Sequence, residues 1–262
     1  MTVAELMTAR LMSSSDGAQP TADPRVADLV RAGRLRIGLF PPQYVKDATS
    51  GAITGVWADV ARALATRLGV EFAVLEKPTP AEVIDALNAG DCDIASLGFD
   101  PSRIARVGGF SPPFMRVDLT YLVPAGSPIR CVADADRPGA RIATVREHAS
   151  TLALDRMRRL SEHVSVETAD AAFELMRGGH VDAWASIRPM LLDYARQLPG
   201  SRVLDDNFGA NFPALVVAKG HDARLAYISE FVEEAKASGL VQQAIERAGQ
   251  PGYHVAVARE QA

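Results

Sequence analysis

The chain has 262 residues, of which 48% are hydrophobic and 23% charged, and its 28 Lys and Arg residues against 32 Asp and Glu give a net charge of −4. This composition excludes a disordered chain, a coiled coil and a collagen-like fibre, and the mildly acidic balance argues against a nucleic-acid partner. The length lies just above the range in which a single core keeps growing, so we expect two lobes that fold without disulfides or metal.

The N-terminal segment, residues 1–25, differs in character from the rest of the chain. It has neither a basic start nor a long apolar stretch, so it does not resemble a secretory signal, and residues 13–24 are rich in Ser, Asp, Gly and Pro. We predict a flexible arm over residues 1–25, and a cytoplasmic location stays open. No apolar run approaches the ~20 residues of a membrane span, so we expect none.

From Leu35 onward, short apolar runs alternate with amphipathic segments. Strands are predicted at 35–40, 71–75, 93–97, 141–145, 164–166, 181–185, 203–204 and 215–218. Helices are predicted at 57–68, from 80 to near 90, from 101 onward, and at 150–160, 171–177, 190–197, 223–237 and 240–248. Alternation of this kind predicts an α/β fold with parallel strands flanked by helices.

The sequence lacks the signatures of metal and nucleotide sites. It contains no G-x-G-x-x-G, no G-x-x-x-x-G-K-[ST], no H-E-x-x-H and no G-x-S-x-G, and its five histidines are scattered. Cys92 and Cys131 match no metal spacing; we expect two buried thiols, although a disulfide between them stays open. We therefore predict neither a cofactor nor a bound metal.

The first candidate binding signal is the end of the predicted strand 93–97. Ser96 and Gly98 lie there, and Arg103 follows in the first turn of a helix. Ligands of open α/β sheets bind beyond the carboxyl ends of strands, and a guanidinium suits a carboxylate. Alternatively, Arg103 pairs with Asp100 on the same helix face.

Two further signals also follow predicted strand ends. Ser150 or Thr151, next to His148, begins a helix whose free amides could hold an anion, although capping alone also explains them. Gln43 and Tyr44 follow the first strand, where Tyr44 could form an apolar wall for a ligand, whereas Trp57 is expected in the core.

A family resemblance rests on several spaced motifs. They are LRIGLF at 35–40, the G-x-x-x-G-x-x-x-D of Gly51, Gly55 and Asp59, the L-x-x-G-x-x-D of Leu87, Gly90 and Asp93, the x-P-x-R of Asp100–Arg103, and FSPPF at 110–114. On these motifs the chain resembles the periplasmic solute-binding proteins of ABC importers, family 3, of the polar amino-acid-binding type.

The resemblance implies a two-lobe periplasmic-binding-protein type II fold with a hinge of two crossing strands near 121–123 and 214–217. Lobe one would comprise 26–122 plus 217–262, and lobe two 123–216. It also implies that Arg103 binds a ligand carboxylate, helped by Ser96, Gly98, Ser150 and Thr151. A periplasmic location, hinge closure and an ABC permease partner would follow.

The chain departs from the family pattern at several positions. Asp100 replaces a Thr, His148 replaces a Gly, and Ile187 stands where amino-acid binders carry the acid that pairs with the ligand ammonium. Either another acid substitutes, or the ligand is not a simple α-amino acid, because a buried unpaired ammonium is costly. Arg188 would suit a second acidic group, or it is a solvated helix-start residue.

The sequence therefore predicts a non-catalytic monomer that binds a small carboxylate-bearing, amino-acid-like solute between its lobes for ABC-type import. Two alternatives stay open. One is an enzyme resembling cyclohexadienyl dehydratase, for which Glu147 is the nearest general acid. The other is a cytoplasmic ligand sensor on the same fold. The ligand itself cannot be named from these residues.

Overall fold

The computed structural model of the chain describes residues 23–157 and 160–257. Residues 1–22 of the predicted arm, and 158–159 of the predicted helix 150–160, lie outside the described residues. The helices are α1 (Ala27–Ala32), α2 (Val56–Leu68), α3 (Pro80–Ala89), α4 (Pro101–Ile104), α5 (Val132–Ala135), α6 (Ala149–Arg156), α7 (Ala169–Arg177), α8 (Arg188–Ala195), α9 (Asp222–Ala237) and α10 (Leu240–Ala248). The strands are β1 (Arg34–Leu39), β2 (Val45–Lys46), β3 (Ile53–Thr54), β4 (Glu71–Glu76), β5 (Ile94–Gly98), β6 (Gly109–Phe110), β7 (Met115–Val123), β8 (Arg141–Val145), β9 (Glu162–Val166), β10 (Ala183–Ile187), β11 (Arg202–Val203), β12 (Gly209–Asn211), β13 (Pro213–Val217) and β14 (Tyr253–Val255).

The first lobe is built on a sheet with the strand order β4-β1-β5-β13-β6. Strands β4, β1 and β5 are parallel, and β13 runs antiparallel to β5 and β6. Helix α2 buries its apolar stripe beneath this sheet, with Leu64 fully buried, and ends at Gly69, whose φ of 67° provides the left-handed cap. Thr79 accepts a hydrogen bond from the Glu82 amide and so begins α3 as its N-cap.

The second lobe is built on a sheet with the order β11-β7-β10-β8-β9, to which β12 and β14 add by pairing with β7. Strands β10, β8 and β9 are parallel, whereas β10 and β7 are antiparallel. The indole of Trp184 is fully buried in this lobe and packs edge-on against Tyr194, with ring centroids 4.9 Å apart. The predicted α/β class is confirmed.

The chain passes between the sheets earlier than the predicted crossings at 121–123 and 214–217. Strand β7 belongs to the second sheet from Met115 onward, and β13 belongs to the first sheet from Pro213 onward. The passages therefore lie before Met115 and between Asn211 and Pro213. Residues 115–122 and 253–255, assigned by sequence to lobe one, pair in the second sheet, and 213–216 pair in the first.

The structure also bears on the expectations about membrane spans and cysteines. Among the described residues, no helix combines the length and hydropathy needed to cross a bilayer. Cys92 is buried and Cys131 partly exposed, and both thiols are free rather than paired. Burial raises the pKa of the Cys92 thiol to about 11.

Candidate ligand-binding cleft

A narrow cleft lies between the two sheets, at the carboxyl ends of strands from both. This is where α/β proteins bind ligands. Its volume is about 30 Å³, enough for about one water molecule. It is lined by Phe40, Pro42, Gln43, Trp57, Gly98, Arg103, His148, Ala149, Ser150, Ser186, Ile187 and Asn211. Because both lobes contribute to this lining, an amino-acid-sized molecule enters only when the lobes separate.

Arg103 is a buried cation whose side chain bridges the cleft. Asp100 accepts from the Ser102 amide and starts α4, which carries Arg103 inward to 5% exposure. Its Nη1 donates to the Gly98 carbonyl at 2.9 Å, and its Nη2 donates across the cleft to the Glu147 carbonyl at 2.6 Å. Burial lowers the pKa of Arg103, and Asp100 and Glu147 offset this only in part. Within the described part of the chain, Arg103 forms no ion pair.

Asp100 is occupied by partners other than Arg103. Its carboxylate accepts from the Ser102 hydroxyl at 2.6 Å and binds Arg156 of the other lobe. Burial raises the pKa of Asp100, but the bonds from Ser102 and Arg156 outweigh it and leave that pKa below its usual value. The alternative in which Asp100 neutralises Arg103 is therefore not the observed pairing.

The turn after β8 supplies the second lobe's side of the cleft. Glu147 has φ 58°, a left-handed conformation that non-glycine residues rarely adopt, and its carbonyl is the acceptor for Arg103. The His148 ring packs edge-on against Phe40 of the first lobe at 5.9 Å. Burial, with a contribution from Arg103, lowers the pKa of His148 to about 4, so the imidazole is neutral near pH 7.

Two neutral amides complete the cleft, Gln43 from the first lobe and Asn211 from the end of β12 in the second sheet. Gln43 is buried, and its amide donates to the Ser96 carbonyl at 2.9 Å while its side-chain oxygen accepts from the Phe40 amide. Asn211 lies against Gly98 so closely that a Cβ at Gly98 would be 1.9 Å from the Asn211 Oδ1. The glycine is therefore needed for close approach.

The structure brings together five of the nine predicted site residues, namely Gln43, Gly98, Arg103, His148 and Ser150. Ser150 also donates to the Ala185 carbonyl at 3.2 Å. The other four predicted residues do not line this cleft. Residues that line it without being predicted include Ser186 and Asn211, and no motif in the sequence marks either one.

Each of those four remaining residues has a partner elsewhere. The Tyr44 hydroxyl donates to Glu76 at 2.9 Å. Ser96 donates to the Ala214 carbonyl at 3.3 Å, and Thr151 donates to the Val145 carbonyl at 2.6 Å. Arg188 points away to the 204–206 loop, where it donates to three main-chain carbonyls, the shortest at 2.6 Å. Tyr44 forms part of a neighbouring pocket instead, and Arg188 anchors a loop.

The neighbouring pocket is wider, with a volume of about 580 Å³, and shares Pro42, Gln43 and Trp57 with the cleft. Its acidic residues already have cationic or amide partners. Asp59 pairs with Arg62 at 2.6 Å and with Arg247 at 3.1 Å. Asp193 pairs with Arg196 at 2.9 Å and accepts from Gln250 at 3.0 Å.

The two sheets, the crossings between them and the polar cleft at their facing ends define a two-lobed α/β solute-binding protein. The model of the bacterial extracellular solute-binding proteins, family 3, matches residues 36–250, and the chain belongs to this family. The family resemblance inferred from the sequence motifs is thereby confirmed, together with the periplasmic-binding type II fold.

Two named proteins are similar in sequence to part of this chain. The glutamine-binding protein of Geobacillus stearothermophilus is 29% identical over 171 residues, which are 63% of each chain. The virulence sensor protein BvgS of Bordetella bronchiseptica is 30% identical over 151 residues, which are 56% of this chain and 12% of the sensor. In both cases the match spans less than two thirds of the relative.

Solved structures share the fold. A solute receptor for L-cysteine from Neisseria gonorrhoeae superposes with a TM-score of 0.74 at 23% identity, covering 87% of this chain and 94% of that one. An ancestral amino acid-binding protein, described as a precursor of cyclohexadienyl dehydratase, superposes with a TM-score of 0.70 at 25% identity, covering 85% and 97%.

Proposed function

We propose that the protein binds a small carboxylate-bearing solute in the cleft between its lobes and delivers it to an ABC-type import system. The observation that carries the proposal is the Arg103 guanidinium, buried at the cleft and bonded to main-chain carbonyls alone among the described residues. Family membership supports solute capture outside the cytoplasmic membrane, and we place the protein in the periplasm.

A carboxylate suits Arg103 better than its present acceptors do. Hydrogen bonds between two charged groups are roughly twice as strong as those between neutral ones, and the planar fork of a guanidinium matches two carboxylate oxygens. The bond to the Glu147 carbonyl joins the lobes. When the lobes separate, that bond is lost and Nη2 becomes available to an entering anion.

Closure over the ligand would reuse contacts that already cross between the lobes. Arg103 reaches the Glu147 carbonyl, Arg156 reaches Asp100, and Phe40 packs on the His148 ring. A ligand drives closure only if it interacts more favourably with the closed form. A carboxylate held by Arg103 of one lobe and by groups near Ser150 of the other meets that condition.

We favour binding over the dehydratase alternative. Such a reaction requires a general acid placed against the substrate. The residues that line the cleft, within the described part of the chain, include no carboxyl group. Glu147 reaches the cleft through its carbonyl, and the neutral His148 ring has too low a pKa to act as an acid near pH 7.

A thermal-shift screen tests the proposal with matched pairs. Amino acids, dicarboxylates and aromatic acids are each compared with the primary amide of the same carboxyl group. A ligand that binds the native state raises the melting temperature, and we expect shifts from carboxylates that their amides do not reproduce. Equal shifts from both members of every pair, or no shift from any compound, would contradict the proposal.

A second candidate function is ligand sensing, which the similarity to a segment of BvgS favours. Uptake of a radiolabelled ligand by a strain lacking the protein separates the two. Import predicts that uptake falls to background and is restored by the wild-type chain, whereas sensing predicts normal uptake and a lost transcriptional response.

A further inference from the structure

The cleft carries a charge imbalance. Arg103 is a buried cation, and no Asp or Glu is among the residues that line the cleft in the described part of the chain. The other polar side chains at the lining are neutral: the hydroxyls of Ser150 and Ser186, the amides of Gln43 and Asn211, and the His148 imidazole. One incoming carboxylate therefore balances the charge of Arg103, which the nearby charges of Asp100 and Glu147 compensate only in part.

An ammonium group on the same ligand would lack a counter-ion there. The nearest acid by sequence, Asp100, is held by the Ser102 amide and hydroxyl and by Arg156. The acids of the wider pocket, Asp59 and Asp193, already pair with arginines. A buried cation without a paired anion is strongly disfavoured, and the positive charge of Arg103 adds repulsion.

The neutral groups instead fit a hydroxyl or a carbonyl. The Asn211 side chain packs against Gly98, beside the carbonyl that Arg103 binds. Among the described residues, the Asn211 side chain forms no hydrogen bond, so its amide remains available to a ligand in the cleft that it lines. An amide can donate to a ligand carbonyl or accept from a ligand hydroxyl without adding charge.

We infer that the cleft selects a carboxylate that carries a neutral polar group, such as a 2-hydroxy or 2-oxo acid, over the α-amino acid of the same carbon skeleton. The inference rests on the proposed function, because it takes Arg103 as the carboxylate receptor. It adds the chemical class of the group next to that carboxylate.

Isothermal titration calorimetry on the full chain tests this with matched sets. The sets are L-alanine, L-lactate and pyruvate; L-leucine and its hydroxy and oxo acids; L-glutamate, 2-hydroxyglutarate and 2-oxoglutarate; and L-phenylalanine, phenyllactate and phenylpyruvate. We expect the hydroxy or oxo acid to bind at least about tenfold more tightly than the amino acid in every set that binds. An amino acid that binds equally or more tightly overturns this inference and leaves the proposed function standing. Binding by no member of any set contradicts both.

The Asn211→Asp variant adds one negative charge with almost no change in shape. It should shift the preference toward the amino acid by at least about tenfold, because the new carboxylate supplies the missing counter-ion. The Asn211→Ser variant is the neutral control: it should weaken binding of the hydroxy and oxo acids by removing the amide, without tightening binding of the amino acid. An unchanged preference in a folded Asn211→Asp protein would overturn the role of Asn211, and the wild-type series decides the inference should that variant not fold.

Discussion

The narrow cleft and the wider pocket beside it share three residues but differ in size and in charge compensation. The wider pocket, about 580 Å³, has room for an amino acid, and its acids Asp59 and Asp193 are paired with arginines. The cleft, about 30 Å³, has almost no room, yet Arg103 within it has only carbonyl acceptors among the described residues.

Volume therefore favours the wider pocket as the binding site, whereas charge favours the narrow cleft. A cavity whose charges are already compensated gains little from an ionic ligand, whereas a buried cation without an anion gains strongly. In a protein with two lobes, the volume of a cleft also changes as the lobes move, but the identity of its charged groups does not. We therefore propose that the ligand binds in the cleft and not in the wider pocket.

The first test concerns the protonation of His148, whose imidazole is buried in the narrow cleft. Its pKa is lowered from 6.5 to about 4 in the folded state. Between these two pH values the imidazole is therefore protonated in the unfolded chain but neutral in the native protein. Stability that is present above pH 6.5 is lost as the pH falls toward 4. The loss should reach about 2–3 kcal/mol on the scale of 1.4 kcal/mol per pH unit.

Urea denaturation of the wild type and of His148→Gln across this pH range measures the effect. The advantage of the wild type over the variant should shrink by that amount between about pH 7.5 and pH 4.5. Other titrating groups cancel in the difference between the two proteins. Parallel stability curves would show that the cleft does not desolvate the imidazole.

The second test concerns the close approach of Gly98 and Asn211. A Cβ at Gly98 would lie 1.9 Å from the Asn211 Oδ1, so Gly98→Ala must displace that amide into the cleft. Overpacking of this kind costs about 1–3 kcal/mol, so we expect roughly ten- to hundredfold weaker ligand binding by calorimetry. The double variant Gly98→Ala/Asn211→Ser should recover part of the lost affinity. Wild-type affinity in Gly98→Ala would contradict the proposal that the ligand binds in the narrow cleft.

The smallest expected effect is a change in the wider pocket. Thr54 is exposed and lines that pocket but not the cleft. Thr54→Tyr places a large ring there, in a strand that tolerates aromatic residues. The ligand dissociation constant should change by less than about twofold. A tenfold loss would mean that the ligand occupies the larger space.

The sequence predicted much of the secondary structure because its helices and inner strands have clear periodicity and caps. Helix α10 and strand β8 have the predicted bounds, and α3 begins at the predicted residue 80. The sequence predicts only a crossing near 121–123 within strand β7, because the nine residues of this strand mix charged and apolar positions and pair with four different strands. Strand β12, with Gly209 and Asn211, has no pattern that marks a strand.

The site was predicted where local sequence decides geometry. Arg103 lies one helical turn beyond a strand end, so its position follows from α4 and its cap. Tyr44 is predicted in the site from its proximity to a strand end, and Arg188 from its place beside Ile187, but Glu76 and the 204–206 loop hold them elsewhere. Asn211 enters the cleft through a contact with Gly98 that is distant in sequence, and single-sequence patterns carry no such information.

The role of Arg103 is tested most directly by calorimetry on the wild type, Arg103→Ala and Arg103→Lys, with the carboxylate that gives the largest thermal shift. We expect Arg103→Ala to bind at least about a hundredfold more weakly, and Arg103→Lys to fall between, because lysine keeps the charge but loses the two-pronged geometry. Circular dichroism should show the same fold for all three proteins. Wild-type affinity in a folded Arg103→Ala protein would contradict the assignment of the ligand carboxylate to this side chain.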